Sequence, residues 1–122
     1  MAIAVGGAIG AVARHYASGQ VMRLVGMGFP FGTLLVNVVG SFAMGALVEV
    51  MALRWSVGPE LRGFLTVGVL GAFTTFSTFS LDFVVLTERG QLGLAVLYAV
   101  VSVALSVAGL FAGMHLLRGI LA

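Results

Sequence analysis

Four apolar runs, at residues 3–22, 31–53, 61–86 and 92–117, alternate with short clusters of charges and helix breakers. A helix of about 20 residues crosses the hydrocarbon core of a bilayer, so each run predicts one transmembrane helix. The separators have the chemistry of boundaries. Gly26-Met27-Gly28-Phe29-Pro30 is a breaker cluster. Arg54-Trp55 joins a charge to an interfacial aromatic residue, and Gly58-Pro59-Glu60 puts proline and an acid where a helix begins. Glu88-Arg89-Gly90 makes the last short loop. The expected fold is an all-α membrane protein, a single domain of four transmembrane helices spanning residues 1–122. The opening residues carry no charge ahead of the apolar run and no clear cleavage site, so they read as the first span rather than a signal peptide.

Polar residues inside these runs fall in register. In the second run Asn37, Ser41 and Gly45 recur four apart, which makes one polar, small-residue stripe on a helix. In the fourth, Tyr98, Ser102 and Ser106 do the same, with Gly109 and Gly113 beyond them. Each stripe has two readings: hydrogen bonds and close packing between helices, or a polar track along a conduit. Gly6 and Gly10 form a GxxxG pair that admits a neighbouring helix backbone. Arg14 and His15 follow towards the far end of the first run. Arg14 either snorkels to the headgroups or adds positive potential to a vestibule.

The third run carries the densest chemistry. At its middle stands Gly71-Ala72-Phe73-Thr74-Thr75-Phe76-Ser77-Thr78-Phe79-Ser80. An unpaired polar group in hydrocarbon costs several kcal/mol, so such a cluster needs partners or a water-filled cavity. Glycine and two adjacent β-branched threonines weaken a helix. One expectation is therefore a helix broken near Gly71–Thr75, whose freed carbonyls make a cation site. The other is an intact helix with threonine hydroxyls bonded back to its own carbonyls.

Composition narrows the class. The chain is 61% hydrophobic and 8% charged, against about 25% charged in a typical soluble domain. A bilayer is its implied partner. The short loops leave no space for a nucleotide-binding or soluble catalytic domain. Six arginines and no lysine read as loop charge, with no nucleic-acid motif beside them. There is no cysteine, and the two histidines lie far apart, so neither a disulfide nor a side-chain metal site is expected. No nucleophile–base pair suggests an enzyme.

The arginines also bear on orientation. With four spans, Arg54, Arg62 and Arg118 fall on one side, and Arg14, Arg23 and Arg89 on the other. That balance removes the bias that normally fixes topology. The expectation is insertion both ways up and an antiparallel, dual-topology homodimer. Its twofold axis would bring the two Gly71–Thr75 stretches together at mid-depth, around one shared cation.

The chain resembles the CrcB/Fluc fluoride channels along most of its length. Gly6-Gly7-x-x-Gly10-Ala11-x-x-Arg14 is similar to that family's N-terminal motif. Gly32-Thr33-Leu34-x-Val36-Asn37-x-x-Gly40-Ser41-Phe42 is similar to its second-span motif, and Gly71-x-x-Thr74-Thr75-Phe76-Ser77-Thr78-Phe79-Ser80 to its third-span signature. The resemblance implies a fluoride-selective channel with two pores per antiparallel dimer and a structural sodium ion at the centre. It implies that the backbone carbonyls of Gly71 and Thr74 hold the sodium. It further implies a fluoride path along Phe76 and Phe79, with Asn37, Tyr98, Ser102 and Ser106 lining it. Two positions depart from the pattern: Ala72 where a second glycine is common, and Asp82 where glutamate is frequent.

These residue types suit a small, strongly hydrated anion. Phenyl edges are weakly positive, and amide and hydroxyl groups donate, so several modest sites in series allow entry and release. The segmentation places no arginine at the centre of a span, where one would hold the anion too tightly. The rival architecture is a small multidrug-resistance-type, proton-coupled transporter, also four spans in an antiparallel dimer. Such proteins depend on an acid in the first span, and residues 3–22 contain none. A third reading, a structural membrane subunit, makes every glycine and serine a packing device.

Overall fold

The computed structural model describes residues 1–26 and 28–121. Among these the secondary structure is helical throughout, with no strand. Helix α1 runs Ala2–Val25 and α2 runs Phe31–Leu53. The next stretch is composite. A short α3, Pro59–Gly63, passes into a π-helical segment, Phe64–Leu70, and then α4, Gly71–Phe73. After two residues α5 takes Phe76–Glu88. Helix α6, Leu92–Leu121, closes the chain. Three stretches, Phe31–Leu53, Pro59–Glu88 and Leu92–Leu121, are long and apolar enough to cross a membrane. Met27, inside the predicted breaker cluster, lies outside the described residues.

The boundaries have local causes. Pro59 occupies the first turn of α3, where a missing N–H costs nothing, and Glu60 beside it suits the positive end of the helix. Helix α5 ends in a Schellman turn. The Gly90 N–H donates to Thr87 O at 3.0 Å and the Gln91 N–H to Leu86 O at 2.9 Å. Gly90 takes φ +77°, a conformation that glycine adopts without steric cost.

Close backbone contact holds the helices together. Helices α2 and α6 run parallel and make the most extensive interface. A Cβ added at Gly45 would overlap the Leu110 carbonyl, and one at Gly113 would overlap that of Phe42. Helix α1 lies against the π-helical segment in the same way. Gly6 meets the Phe64 carbonyl and Gly10 meets that of Val69. With lipid no less apolar than a leucine side chain, this dispersion contact is the main source of helix association. At one end of the bundle Arg118 donates to both carboxylate oxygens of Glu49, Nη2 at 3.0 Å and Nε at 3.3 Å. Beside it, Arg54 Nε donates to Leu121 O at 3.1 Å.

Few side chains are fully buried. Val36, Leu86, Ala95 and Tyr98 form the apolar interior, whereas Val96, Val100, Leu105, Phe111 and Ile120 point outward. An apolar exterior of this extent faces lipid rather than water.

Candidate functional site

The site begins where the third stretch leaves helical geometry. Thr74 has φ −86°, ψ 156° and Thr75 has φ −150°, ψ 124°, both extended, at the middle of Pro59–Glu88. Two extended residues redirect the hydrogen bonds of a whole turn. In a continuous helix the Thr75 N–H would close on the Gly71 carbonyl. Here it donates to Asn37 Oδ1 at 2.7 Å. The Thr78 N–H would close on the Thr74 carbonyl, but it donates to Thr75 Oγ1 at 3.2 Å, which caps the start of α5. The Ala72 carbonyl also loses its turn and accepts from Arg14 Nε at 3.1 Å. The Thr75 carbonyl accepts from Asn37 Nδ2 at 3.0 Å.

The Gly71 and Thr74 carbonyls thereby lose their helical donors, and that of Phe73 accepts no bond from the Ser77 N–H among the described residues. Gly71 O keeps only a long contact from Thr74 Oγ1, at 3.4 Å. Uncompensated carbonyl oxygens at membrane depth suit a hard cation such as sodium, which takes oxygen ligands. No three His, Cys, Asp or Glu side chains come together among the described residues. The oxygens at the break are backbone carbonyls and the Thr74 and Thr75 hydroxyls.

Beside the interruption lies an open groove of about 300 Å³, walled by α2, α5 and α6. Asn37 and Ser41 line it from α2, and Ser102 and Ser106 from α6, with Val103 and Val107 alongside. Thr74, Thr75, Phe76 and Phe79 complete the lining. The rings of Phe76 and Phe79 sit 5.4 Å apart at 43°. Phe76 is 76% exposed, on the open side of the groove. Ser102 is buried, and its Oγ has no hydrogen-bond partner among the described residues. A buried hydroxyl without a partner is uncommon enough to call for a ligand or water.

The sequence also matches known proteins. Residues 1–114 match the profile of the family described as CrcB-like protein, Camphor Resistance (CrcB). The chain belongs to the CrcB-like family. A relative from Cereibacter sphaeroides (strain ATCC 17029 / ATH 2.4.9), named "Fluoride-specific ion channel FluC", is 56% identical over 96% of this chain and 92% of its own length. Proteins of the same name from Rhodospirillum centenum and Agrobacterium fabrum are 52% and 53% identical, each across 97% of this chain and 94% of theirs. The apolar helices and this family membership make the CrcB-like chain a multi-pass membrane protein.

Of the residues singled out from the CrcB-like sequence, the groove brings together Asn37, Phe76, Phe79, Ser102 and Ser106. Tyr98 stands behind it. It is fully buried, its ring lies 5.1 Å from that of Phe79, and its hydroxyl donates to Asp82 Oδ2 at 3.1 Å. Arg14 differs most from the sequence reading, which puts it near the end of the first span. Arg14 falls at the middle of α1, Ala2–Val25, beside the interruption, so the expectation that no arginine stands at the centre of a helix fails: the side chain is held there by its bond to the Ala72 carbonyl. The second half of α1 touches the start of α2 on one side and is otherwise open. Gly32 packs on Ser18, and the Gly32 N–H reaches Met22 Sδ at 3.4 Å. The groove also takes in Ser41, Thr75, Val103 and Val107, which sequence reasoning does not single out as site residues. The α2 stripe and the hydroxyl run signal Ser41 and Thr75, whereas nothing distinguishes the valines from lipid-facing ones.

Proposed function

We propose that the chain is a fluoride-selective channel through which cytoplasmic fluoride leaves passively down its electrochemical gradient. The working unit is an antiparallel, dual-topology homodimer of four-span subunits. It has two pores and a structural sodium ion at its centre. The observation that carries the reading is the groove, which joins the unpartnered Ser102 hydroxyl, the Asn37 amide and the Phe76–Phe79 pair. The relatives' printed name supplies the halide.

Each wall has a role in this reading. Fluoride must exchange water for donors that do not trap it. Ser102 and Ser106 offer hydroxyls. Asn37 uses one amide N–H on the Thr75 carbonyl and has a second to offer an anion. Phe76 and Phe79 present weakly positive ring edges between these donors. A series of modest contacts supports throughput, where one strong contact would arrest it. The open side of the groove, where Phe76 is exposed, is where a second copy would complete the wall.

The third stretch acts in this reading as a transmembrane helix broken at Thr74 and Thr75. The Gly71 and Thr74 carbonyls would hold the sodium, one pair from each subunit. Bound there, the ion supplies positive charge that offsets the facing carbonyl dipoles. The hydrogen-bond redirection at Thr75 and Thr78 supports this assignment.

The deciding experiment is halide efflux from liposomes containing the purified protein, fluoride against chloride, with sodium present. Rapid efflux of fluoride alone, without a proton gradient, is expected. Folded dimers that pass no fluoride would overturn the reading.

A further inference from the structure

Two side chains from two different helices grip the Gly71–Thr75 turn from opposite ends. Asn37 of α2 holds the Thr75 peptide through both ends of its amide. Arg14 of α1 holds the Ala72 carbonyl. The carbonyls of Gly71 and Thr74 belong to the segment between and beside these two anchors. No acid is hydrogen-bonded to Arg14 among the described residues. Glu49 is taken by Arg118 and Asp82 by Tyr98. An arginine at the middle of an apolar bundle is costly, so its retention calls for a task. Its contact is a charge-assisted bond to one peptide, at the point where helical bonding fails.

We infer that Arg14 is a positioning residue for the cation site: with Asn37 it fixes the Ala72–Thr75 peptides so that the Gly71 and Thr74 carbonyls are held ready before the ion binds. This rests on the sodium reading above and assigns Arg14 a role apart from the fluoride path. Arg14 is absent from the groove lining, which agrees with that separation. Preorganisation lowers the ordering cost of binding, so loosening either anchor weakens affinity without removing a ligand.

The test measures sodium affinity directly, as the salt concentration that half-saturates thermal stabilisation of the purified dimer, sodium chloride against choline chloride. Fluoride efflux at saturating sodium is measured in parallel. In Arg14→Met the half-saturating sodium concentration should rise about tenfold, the size of a lost hydrogen bond to a charged group. Efflux at saturating sodium should remain. Arg14→Lys, which keeps the charge and a donor, should recover part of the affinity. Asn37→Asp keeps the acceptor for the Thr75 N–H and loses the donor to the Thr75 carbonyl. It should also raise the half-saturating concentration, and it provides the measurement if Arg14→Met does not fold. Uniformly lower stability with unchanged sodium half-saturation would mark Arg14 as mere packing and overturn the inference. Lost efflux at saturating sodium with unchanged affinity would make Arg14 a vestibule charge and overturn it equally. A wild-type dimer that conducts fluoride but ignores sodium would overturn the sodium reading and this inference, leaving the channel standing. A wild-type dimer that binds sodium and passes no fluoride would overturn only the channel.

Discussion

At Ser102 stability and transport should part company. Its hydroxyl is buried without a partner, and an unsatisfied buried group costs about 1–3 kcal/mol. Ser102→Ala should therefore leave thermal stability unchanged or raise it, while slowing fluoride efflux several-fold. A loss of stability with normal efflux would make the serine structural. Phe76→Ile and Phe79→Ile remove the polarised ring edges and keep apolar bulk. Each should cut fluoride efflux at least tenfold, as an order of magnitude, with dimers intact on size exclusion. Normal efflux in either would remove that ring from the mechanism. The shared face of Asn37 and Ser41, and that of Ser102 and Ser106, were legible because four-residue spacing in an apolar run is a helix face, and a face can be read without coordinates. The position of Tyr98 was not legible. It shares that spacing, but its ring is long enough to pass behind Phe79 and bond Asp82, a partner 16 residues away.

The helices pack through glycines, and the cost of adding a side chain depends on what it would strike. At Gly45 the obstacle is the Leu110 backbone carbonyl, which cannot rotate aside. Gly45→Val should lower the stability of the α2–α6 pair by about 2 kcal/mol or more, read as a fall in melting temperature in detergent. Gly93 and Gly119 meet nothing within 4 Å, so alanine there should be neutral. The helix bounds were legible from the apolar runs to within a few residues at most ends, but the first stretch, Ala2–Val25, is not among the three that are long and apolar enough to cross a membrane. The π-helical segment Phe64–Leu70 was not, because its cause is tertiary. Gly6, Gly10 and Gly68 bring two backbones so close that helical register yields to packing. At Thr74 and Thr75 local chemistry and geometry coincide: β-branched residues after a glycine favour extended backbone, and these two adopt it. The side chains that steady them, Arg14 and Asn37, are 58 and 38 residues away from their partners, which no local pattern announces.

For the whole molecule, the charge balance bears on assembly. With Arg14 inside the bundle, the remaining arginines of a four-span arrangement divide two, Arg23 and Arg89, against three, Arg54, Arg62 and Arg118. So small a bias still favours neither orientation strongly. A C-terminal tag probed on intact and permeabilised cells should be found on both sides of the membrane in comparable amounts. A single orientation would sink the antiparallel dimer.

The grip of Arg14 and Asn37 on the Ala72–Thr75 peptides also has a consequence in the order of synthesis. Both anchors precede residues 71–76 in the chain. When that stretch leaves the ribosome, the helices carrying its two partners have already been made, so its bare peptides can be met as they enter the bilayer. A circular permutant that begins at residue 58 would reverse that order and expose the same peptides to lipid before any partner existed. Its yield of inserted protein should fall well below that of the natural order, even though every contact of the finished fold would be available to it.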